Sequence, residues 1–362
     1  MTQLEKAREA IDTIDRQMAV LFEQRMRAVE EVAQYKMEHH LPVLDASREQ
    51  AVLDKNRRYI QDPAYEEGYL EFQKQVMALS RQYQQAKLAR DVVAFQGAEG
   101  AFSHMSCQRL FPNARLHAYG TFEEVIQAVC DKKARYGVIP FENTSSGLVG
   151  EVLDLLAAWP IAIHEVSDQP IDQCLLGVEG ATLKDIEWVY SKDQALAQSK
   201  EFLHSLGAQA VPYPNTALAA RYVAKCRDKR KAAIGARENA DLYGLEVLSS
   251  HVQEDKDNTT RFLVISDTPG WQGDHFSLIL SVRDEAGALN RALNTIARHH
   301  MNMDSIQSRP RKGFPFQYFF YIEVAGAPDA ASIRHLMEDL KEDCEQVQFL
   351  GAYDRREKGE QS

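Results

Sequence analysis

The chain has 362 residues, a formal net charge of −11, 44% apolar and 26% charged residues. That length predicts two or three domains of an ordinary soluble globular protein, and the acidity argues against a nucleic-acid partner. No stretch approaches the roughly 20 consecutive apolar residues of a membrane span, and MTQLEKAREAIDTID lacks a signal-peptide apolar run, so no membrane partner is expected.

Chain order begins with a glycine-poor segment. Of 19 glycines only Gly68 precedes residue 91, and only two prolines, Pro42 and Pro63, do so; such a stretch is all helix with short connections. Helices are predicted over about 3–38, 46–60 and 64–88. Leu4, Ala7, Ile11, Ile14, Met18, Leu21, Phe22, Val29 and Val32 recur at helical spacing in the first. A helix of that length is about 50 Å long at 1.5 Å per residue, too long for two shorter helices to cover, which predicts a homodimer or higher homo-oligomer. The heptad from Leu4 lands on Arg25, with Arg8 and Lys36 flanking the stripe. A cation in a helical core needs an anion, either Asp and Glu side chains or a small polyanionic ligand. Asp45, Arg48, Glu49, Ser80 and Gln84 follow and favour the ligand.

Residues 91 to about 267 alternate strands (Val92–Phe95, Gly137–Pro140, Ala162–Val166, Glu187–Tyr190, Ala232–Gly235, Arg261–Ile265) with helices (Ser103–Leu110, Thr121–Asp131, Val149–Ala158, Asp193–Leu206, Thr216–Cys226), an α/β pattern. No GxGxxG follows the first strand, so a dinucleotide cofactor is not expected. GAEGAFSH opens a helix with amides able to meet an anion; ENTSSG reads equally as an N-cap turn. Residues 275–353 read βαββαβ, a ferredoxin-like sandwich: strands His275–Val282, Met303–Ser308, Gln317–Val324 and Val347–Tyr353, helices Ala288–His300 and Ala330–Cys344. RREKGEQS reads as a frayed tail. The five cysteines, Cys107, Cys130, Cys174, Cys226 and Cys344, are scattered without CxxC spacing, which predicts reduced thiols, a cytoplasmic protein and no metal site.

Three resemblances follow from these residues. Arg8, Arg25, Lys36, Asp45, Arg48, Glu49, Ser80 and Gln84 look like the pocket of the all-helical chorismate mutase domain. The resemblance implies that Arg8 is donated by a partner subunit, that Arg25 and Arg48 hold the carboxylates of chorismate, and that Lys36 and Gln84 meet its ether oxygen. Rearrangement of chorismate to prephenate needs no nucleophile, metal or proton transfer, only a held conformer and a stabilised ether oxygen. FQGAEGAFSH, IPFENTSSG, YSKDQALAQ and NTTRF, in this order, resemble prephenate dehydratase. That implies two α/β lobes and a cleft lined by Asn143, Ser191, Gln198, Thr260 and Arg261, with His104 and Glu142 nearby. Thr260 would donate to the departing ring hydroxyl, relayed from His104 or Glu142; for Arg261, carboxylate binding and structural pairing stand equal. Lys192, Asp193 and Ser199 stand where many members carry His, Pro and Cys. Gly287-Ala288-Leu289-Asn290 and Gln307-Ser308-Arg309-Pro310 resemble the two phenylalanine-binding motifs of the ACT domain, departing from them at Asn290 and Gln307.

The expected fold is therefore multidomain: an all-α mutase domain at 1–90, a two-lobed α/β dehydratase domain at 91–268, an α+β ferredoxin-like ACT domain at 273–353 and a tail at 354–362. The expected function is a bifunctional, cofactor-free enzyme of phenylalanine biosynthesis with phenylalanine as feedback effector. The rivals are arogenate dehydratase activity in the middle domain and a non-catalytic amino-acid sensor.

Overall fold

The computed structural model describes residues 2–38, 44, 46–88, 92–311, 317–326 and 329–356. The chain divides into two compact units, residues 1–90 and 91–362.

The first unit holds α1 (Gln3–Glu38), α2 (Ala46–Arg57) and α3 (Glu66–Leu88). Before α3, the Asp62 carboxylate accepts from the Ala64 N–H at 2.9 Å, and Pro63 sits at the first position of a short helical turn, where a missing N–H costs nothing. Val29 and Ala33 of α1 are buried in this unit, as are Val76 and Met77 of α3. The remainder of the α1 stripe is uncovered: Leu4, Ile11, Ile14, Met18 and Leu21 are 44 to 62% exposed. The expected length mismatch is thus visible as bare apolar surface.

The second unit opens with β1 (Val92–Gln96), α4 (Phe102–Leu110), β2 (Arg115–Tyr119), α5 (Phe122–Cys130), β3 (Tyr136–Asn143), β4 (Gly147–Leu148), α6 (Gly150–Ala158) and β5 (Ala162–Pro170). The chain then crosses to a second lobe: β6 (Cys174–Gly177), β7 (Trp188–Ser191), α7 (Asp193–Gln198), α8 (Lys200–Leu206), β8 (Gln209–Pro212), α9 (Thr216–Cys226), β9 (Lys231–Gly235), α10 (Glu238–Tyr243) and β10 (Glu246–Ser249). It returns to the first lobe as β11 (Thr259–Ser266). The two crossings lie side by side and are tied together, Ile171 N–H to the Asn258 carbonyl and Val252 N–H to the Gln173 carbonyl, each at 2.9 Å. The second-lobe sheet runs β10-β6-β9-β7-β8. Its β6, β8 and β10 are four residues each and escaped the sequence pattern; β6 is buried on both faces, so it shows no alternation. The predicted helix Asp193–Leu206 is two helices, broken where Ser199 leaves helical geometry (φ −118°, ψ 24°).

The third subdomain is β12 (His275–Val282), α11 (Ala288–Arg298), β13 (Asn302–Pro310), β14 (Tyr318–Ala325), α12 (Ala330–Asp343) and β15 (Cys344–Tyr353), with sheet order β13-β14-β12-β15. Strand β12 alternates cleanly. Phe276, Leu278 and Leu280 pack with Ile296 and Leu336 of the helices, while Ile279 faces the first lobe and shares a core with Phe141, Leu263, Tyr321 and Tyr353. The expected frayed tail is corrected at its start: Arg355–Arg356 form β16, parallel to β5 at the edge of the first-lobe sheet, whose order is β16-β5-β11-β3-β1-β2. The Arg355 N–H donates to the Asp274 carboxylate at 3.0 Å and its guanidinium reaches Glu323 at 3.5 Å, anchors that a tail reading did not include.

Candidate active sites

A cleft of about 390 Å³ separates the two lobes of the second unit. Its floor is the C-terminal end of β3 and the N-terminal end of β11, where Asn143 pairs with Thr260 across the ladder. The Asn143 Oδ1 accepts the backbone N–H groups of Ser145 (3.0 Å) and Ser146 (3.1 Å). Those donors can only give, so the side-chain orientation is fixed and Nδ2 faces the other way. There Nδ2 donates to Thr260 Oγ1 at 2.9 Å and to Asn258 Oδ1 at 2.6 Å. Because Thr260 Oγ1 already accepts, its own proton is free to point into the cleft. Asn258 Nδ2 continues the chain to Gln198 Oε1 at 3.3 Å, and Gln194 Nε2 from the second lobe donates to Ser146 Oγ at 2.8 Å. Amides polarised in series strengthen one another in a dry site.

Asn143, Gln198 and Thr260 line this cleft, whereas Ser191, His104, Glu142 and Arg261 are not among its walls. Ser191 is fully buried and donates to the Ile234 carbonyl at 2.7 Å. His104 accepts the Gly100 N–H at Nδ1 (3.2 Å) and its ring packs 5.1 Å from Phe95. Burial draws its pKa below the ordinary histidine value, against a weaker upward pull from Glu99. Glu142 and Arg261 face away because strands alternate and because a bulge falls between Arg261 and Phe262 opposite Phe141. Arg261 donates to Asp168 at 3.1 Å and Glu142 at 3.4 Å, and lies 3.9 Å from Glu323 of β14. Burial pulls the Arg261 pKa down, but the Asp168 hydrogen bond and the surrounding carboxylates outweigh it and hold it above the ordinary value. Burial pushes the Glu323 carboxyl up, against the pull of Arg261 and Arg355. The expected relay from His104 or Glu142 to Thr260 is not seen: among the described residues the hydrogen bonds of His104 and Glu142 go to Gly100 and Arg261 and not to the network. Asn258 and Gln194, which the sequence reading gave no role, complete it; NTTRF carried the first in plain view.

In the helical unit, Arg25 donates to Ser80 Oγ, which in turn donates to the Val76 carbonyl at 2.7 Å. Burial lowers the Arg25 pKa, the sign of a cation placed where water is scarce. Gln84 is buried, and its Oε1 has no hydrogen-bond partner among the described residues, an orphan that a ligand can satisfy. Glu49 accepts from Arg81. Arg8 and Arg48 are exposed and Lys36 is half-buried. Asp45 lies outside the described residues.

In the third subdomain, Gly287 adopts φ +81° ahead of α11, a backbone that a side chain would strain. Gly287, Ala288, Leu289 and Asn290 line a pocket of about 460 Å³ with Arg283, Tyr318 and Phe320. Gln307, Ser308, Arg309 and Pro310 are not among its walls; they lie on β13, an edge strand. Arg309 donates twice to Asp154 of α6, at 3.0 and 2.9 Å, a bidentate clasp between subdomains. Pro310 borders a separate cavity of about 580 Å³.

Among the described residues no helix is long and apolar enough to cross a membrane, and no cluster of three His, Cys, Asp or Glu could hold a metal ion.

These features describe a multidomain enzyme: a helical unit in which Arg25 meets Ser80 beside a buried Gln84, a two-lobed α/β cleft with an amide network around Thr260, and a ferredoxin-like domain clasped to it. Family profiles match in the same order, chorismate mutase type II over residues 7–85, prephenate dehydratase over 93–269 and the ACT domain over 276–342. The bifunctional chorismate mutase/prephenate dehydratase of Enterobacter agglomerans is 30% identical, the match covering 96% of this chain and 94% of the relative. That of Aquifex aeolicus is 29% identical over 98% of each. The crystal structure of prephenate dehydratase from Arthrobacter aurescens in complex with L-Phe superposes with a TM-score of 0.65 at 25% identity, covering 73% of this chain and 90% of that one. The chain belongs to the bifunctional chorismate mutase/prephenate dehydratase family.

Proposed function

We propose the following assignment of residues to the two reactions of this family. In the helical unit, Arg25 and Arg48 hold the carboxylates of chorismate while Lys36 and Gln84 stabilise the ether oxygen as its C–O bond breaks. Asp45, Glu49 and Ser80 complete the polar wall. We infer that a second copy covers the bare apolar stripe of α1 and donates Arg8, so the working enzyme is a homodimer or larger. The exposure of Leu4, Ile11 and Met18 supports this.

In the cleft, prephenate loses carbon dioxide. The ring carbon–carboxylate bond breaks, its electron pair enters the ring, and the ring C–OH bond breaks as the ring becomes aromatic. Hydroxide is a poor leaving group, and Thr260 donates a hydrogen bond to it as charge develops. Threonine is too weak an acid to give its proton up; the departing oxygen takes its proton from water, and Asn143 holds Thr260 in the donating orientation. The observation that carries this reading is the Asn143–Thr260 bond, with Asn143 oriented by two backbone amides. Phenylalanine binds near Gly287–Asn290 and Gln307–Pro310, and the Arg309–Asp154 clasp and the Arg261–Glu323 contact pass its effect to the dehydratase. The five cysteines, scattered and without CxxC spacing, support a reducing, cytoplasmic setting.

Incubating the protein with chorismate tests the whole assignment: phenylpyruvate accumulates, and phenylalanine slows its appearance. A non-catalytic sensor would bind the amino acid and form no product.

A further inference from the structure

Lys192 is the one charged side chain among the residues lining the lobe cleft, and no aspartate or glutamate lines it. It stands on the second-lobe wall, between the end of β7 and the start of α7, and its side chain is exposed rather than folded into the lobe. Among the described residues no ion pair is recorded for it. Its sequence neighbour Asp193 is exposed and outside the lining, and Asp255 accepts from Ser145 Oγ at 3.0 Å. Apolar groups from the first lobe (Phe102, Phe122, Val149, Phe262) supply much of the remaining wall.

We propose that Lys192 binds the side-chain carboxylate of prephenate and thereby makes this enzyme select the 2-keto acid over its 2-amino counterpart, arogenate. The inference rests on the dehydratase reading of the cleft. Prephenate carries two carboxylates, and chemistry decides which one Lys192 holds. The ring carboxylate gives up its charge as carbon dioxide departs, so a cation on it would stabilise the ground state and slow the reaction. The side-chain carboxylate keeps its charge throughout, so binding it lowers KM without raising the barrier. Phe262, two residues along β11 from Thr260 and on the same wall, offers the departing carboxylate the apolar surroundings it needs. In arogenate an ammonium replaces the keto oxygen, one carbon from the carboxylate that Lys192 would hold. The two cations repel, and the cleft offers that ammonium no carboxylate in return. Lysine also brings a full charge where histidine near neutrality does not, so this chain discriminates more strongly than relatives with histidine at this place.

The test uses the full-length protein and its Lys192→Gln and Lys192→Arg variants, with kcat and KM measured for prephenate and for arogenate. Wild type is expected to favour prephenate. In Lys192→Gln the KM for prephenate is expected to rise about tenfold, the scale of one lost charge-assisted hydrogen bond, with kcat held within about threefold and arogenate turnover unchanged or improved. Lys192→Arg is expected to restore the wild-type KM. Added salt is expected to raise the prephenate KM of wild type and not of Lys192→Gln, because an exposed charge is screened. An unchanged prephenate KM in Lys192→Gln, or an equal loss on both substrates, overturns the proposal. Turnover of neither substrate by wild type, with mutase activity intact, overturns the dehydratase reading beneath it.

Discussion

Replacing Arg261 by methionine removes the cation at the centre of a cluster that joins β3, β5, β11 and β14. Asp168 then loses a 3.1 Å charge-assisted bond, with its side chain 16% exposed. Glu323, whose side chain is 3% exposed, keeps Arg355 at 3.5 Å. Removing one partner of a buried pair costs about 3–5 kcal/mol; the surviving Arg355 contact and the partial wetting of Asp168 place this case at the lower end, about 3 kcal/mol. At a urea slope of about 3 kcal/mol/M the midpoint falls by roughly 1 M. All three tryptophans, Trp159, Trp188 and Trp271, lie in residues 91–362, so fluorescence follows this unit and not the helical one. Adding Glu323→Gln removes the other buried charge and is expected to recover about 1 kcal/mol, a coupling read from the double-mutant cycle. The prephenate KM of the single variant is expected to stay within about threefold of wild type. A rise of about tenfold in KM with an unmoved urea midpoint would refute the reasoning and place Arg261 on the substrate.

Other consequences are as direct. Among the described residues lining the cleft none is a histidine or a carboxylic acid, so the dehydratase kcat is expected to be flat from about pH 6 to 8.5; a bell centred near neutrality would reinstate a titrating relay. Burial lowers the His104 pKa in the folded state, so the unfolded chain binds the extra proton. The stability His104 confers is therefore full above about pH 6.5 and lost as pH falls through that value towards the folded pKa; urea midpoints read against pH check this, and a His104→Gln variant should lose less between pH 7 and 5. Ser199 is fully buried, and its hydroxyl has no hydrogen-bond partner among the described residues, so Ser199→Ala is expected to be stabilising by up to about 1 kcal/mol in the same fluorescence assay. Arg309→Ala breaks the clasp on Asp154 and is expected to weaken phenylalanine inhibition while leaving calorimetric phenylalanine affinity within about threefold; an equal loss of both would return Arg309 to the ligand.

Much of the architecture was legible because its signals are local. The scarcity of glycine marked the helical unit, and β12 and α9 begin and end where pattern and caps place them, Asn215 accepting from the Leu218 N–H at 2.7 Å. Strands β6, β8 and β10 were not legible, being four residues each; β6 is buried on both faces, and β8 and β10 are too short to show an alternation. The cleft was half legible. NTTRF shows Thr260 and Arg261 as neighbours, and only the pleat sends them to opposite sides of the sheet. The same pleat sends Glu142 away from Asn143, and the bulge at Phe141 then shifts the register of the rest of the β3–β11 ladder, which no residue identity announces. His104 and Ser191 sit inside matching motifs, yet their hydrogen bonds are to the Gly100 N–H and the Ile234 carbonyl. Arg309 was assigned to a ligand by its motif, while its partner Asp154 lies some distance along the chain in a different subdomain.

If the two reactions use separate sites, Thr260 serves only the second. The most direct measurement is the product of Thr260→Val incubated with chorismate. Chorismate is expected to disappear at the wild-type rate and prephenate to accumulate, with phenylpyruvate formation reduced by about 100-fold or more, the scale of one removed transition-state donor. Phenylpyruvate at the wild-type rate, or loss of chorismate consumption in a protein with an unchanged fluorescence unfolding midpoint, would contradict that expectation.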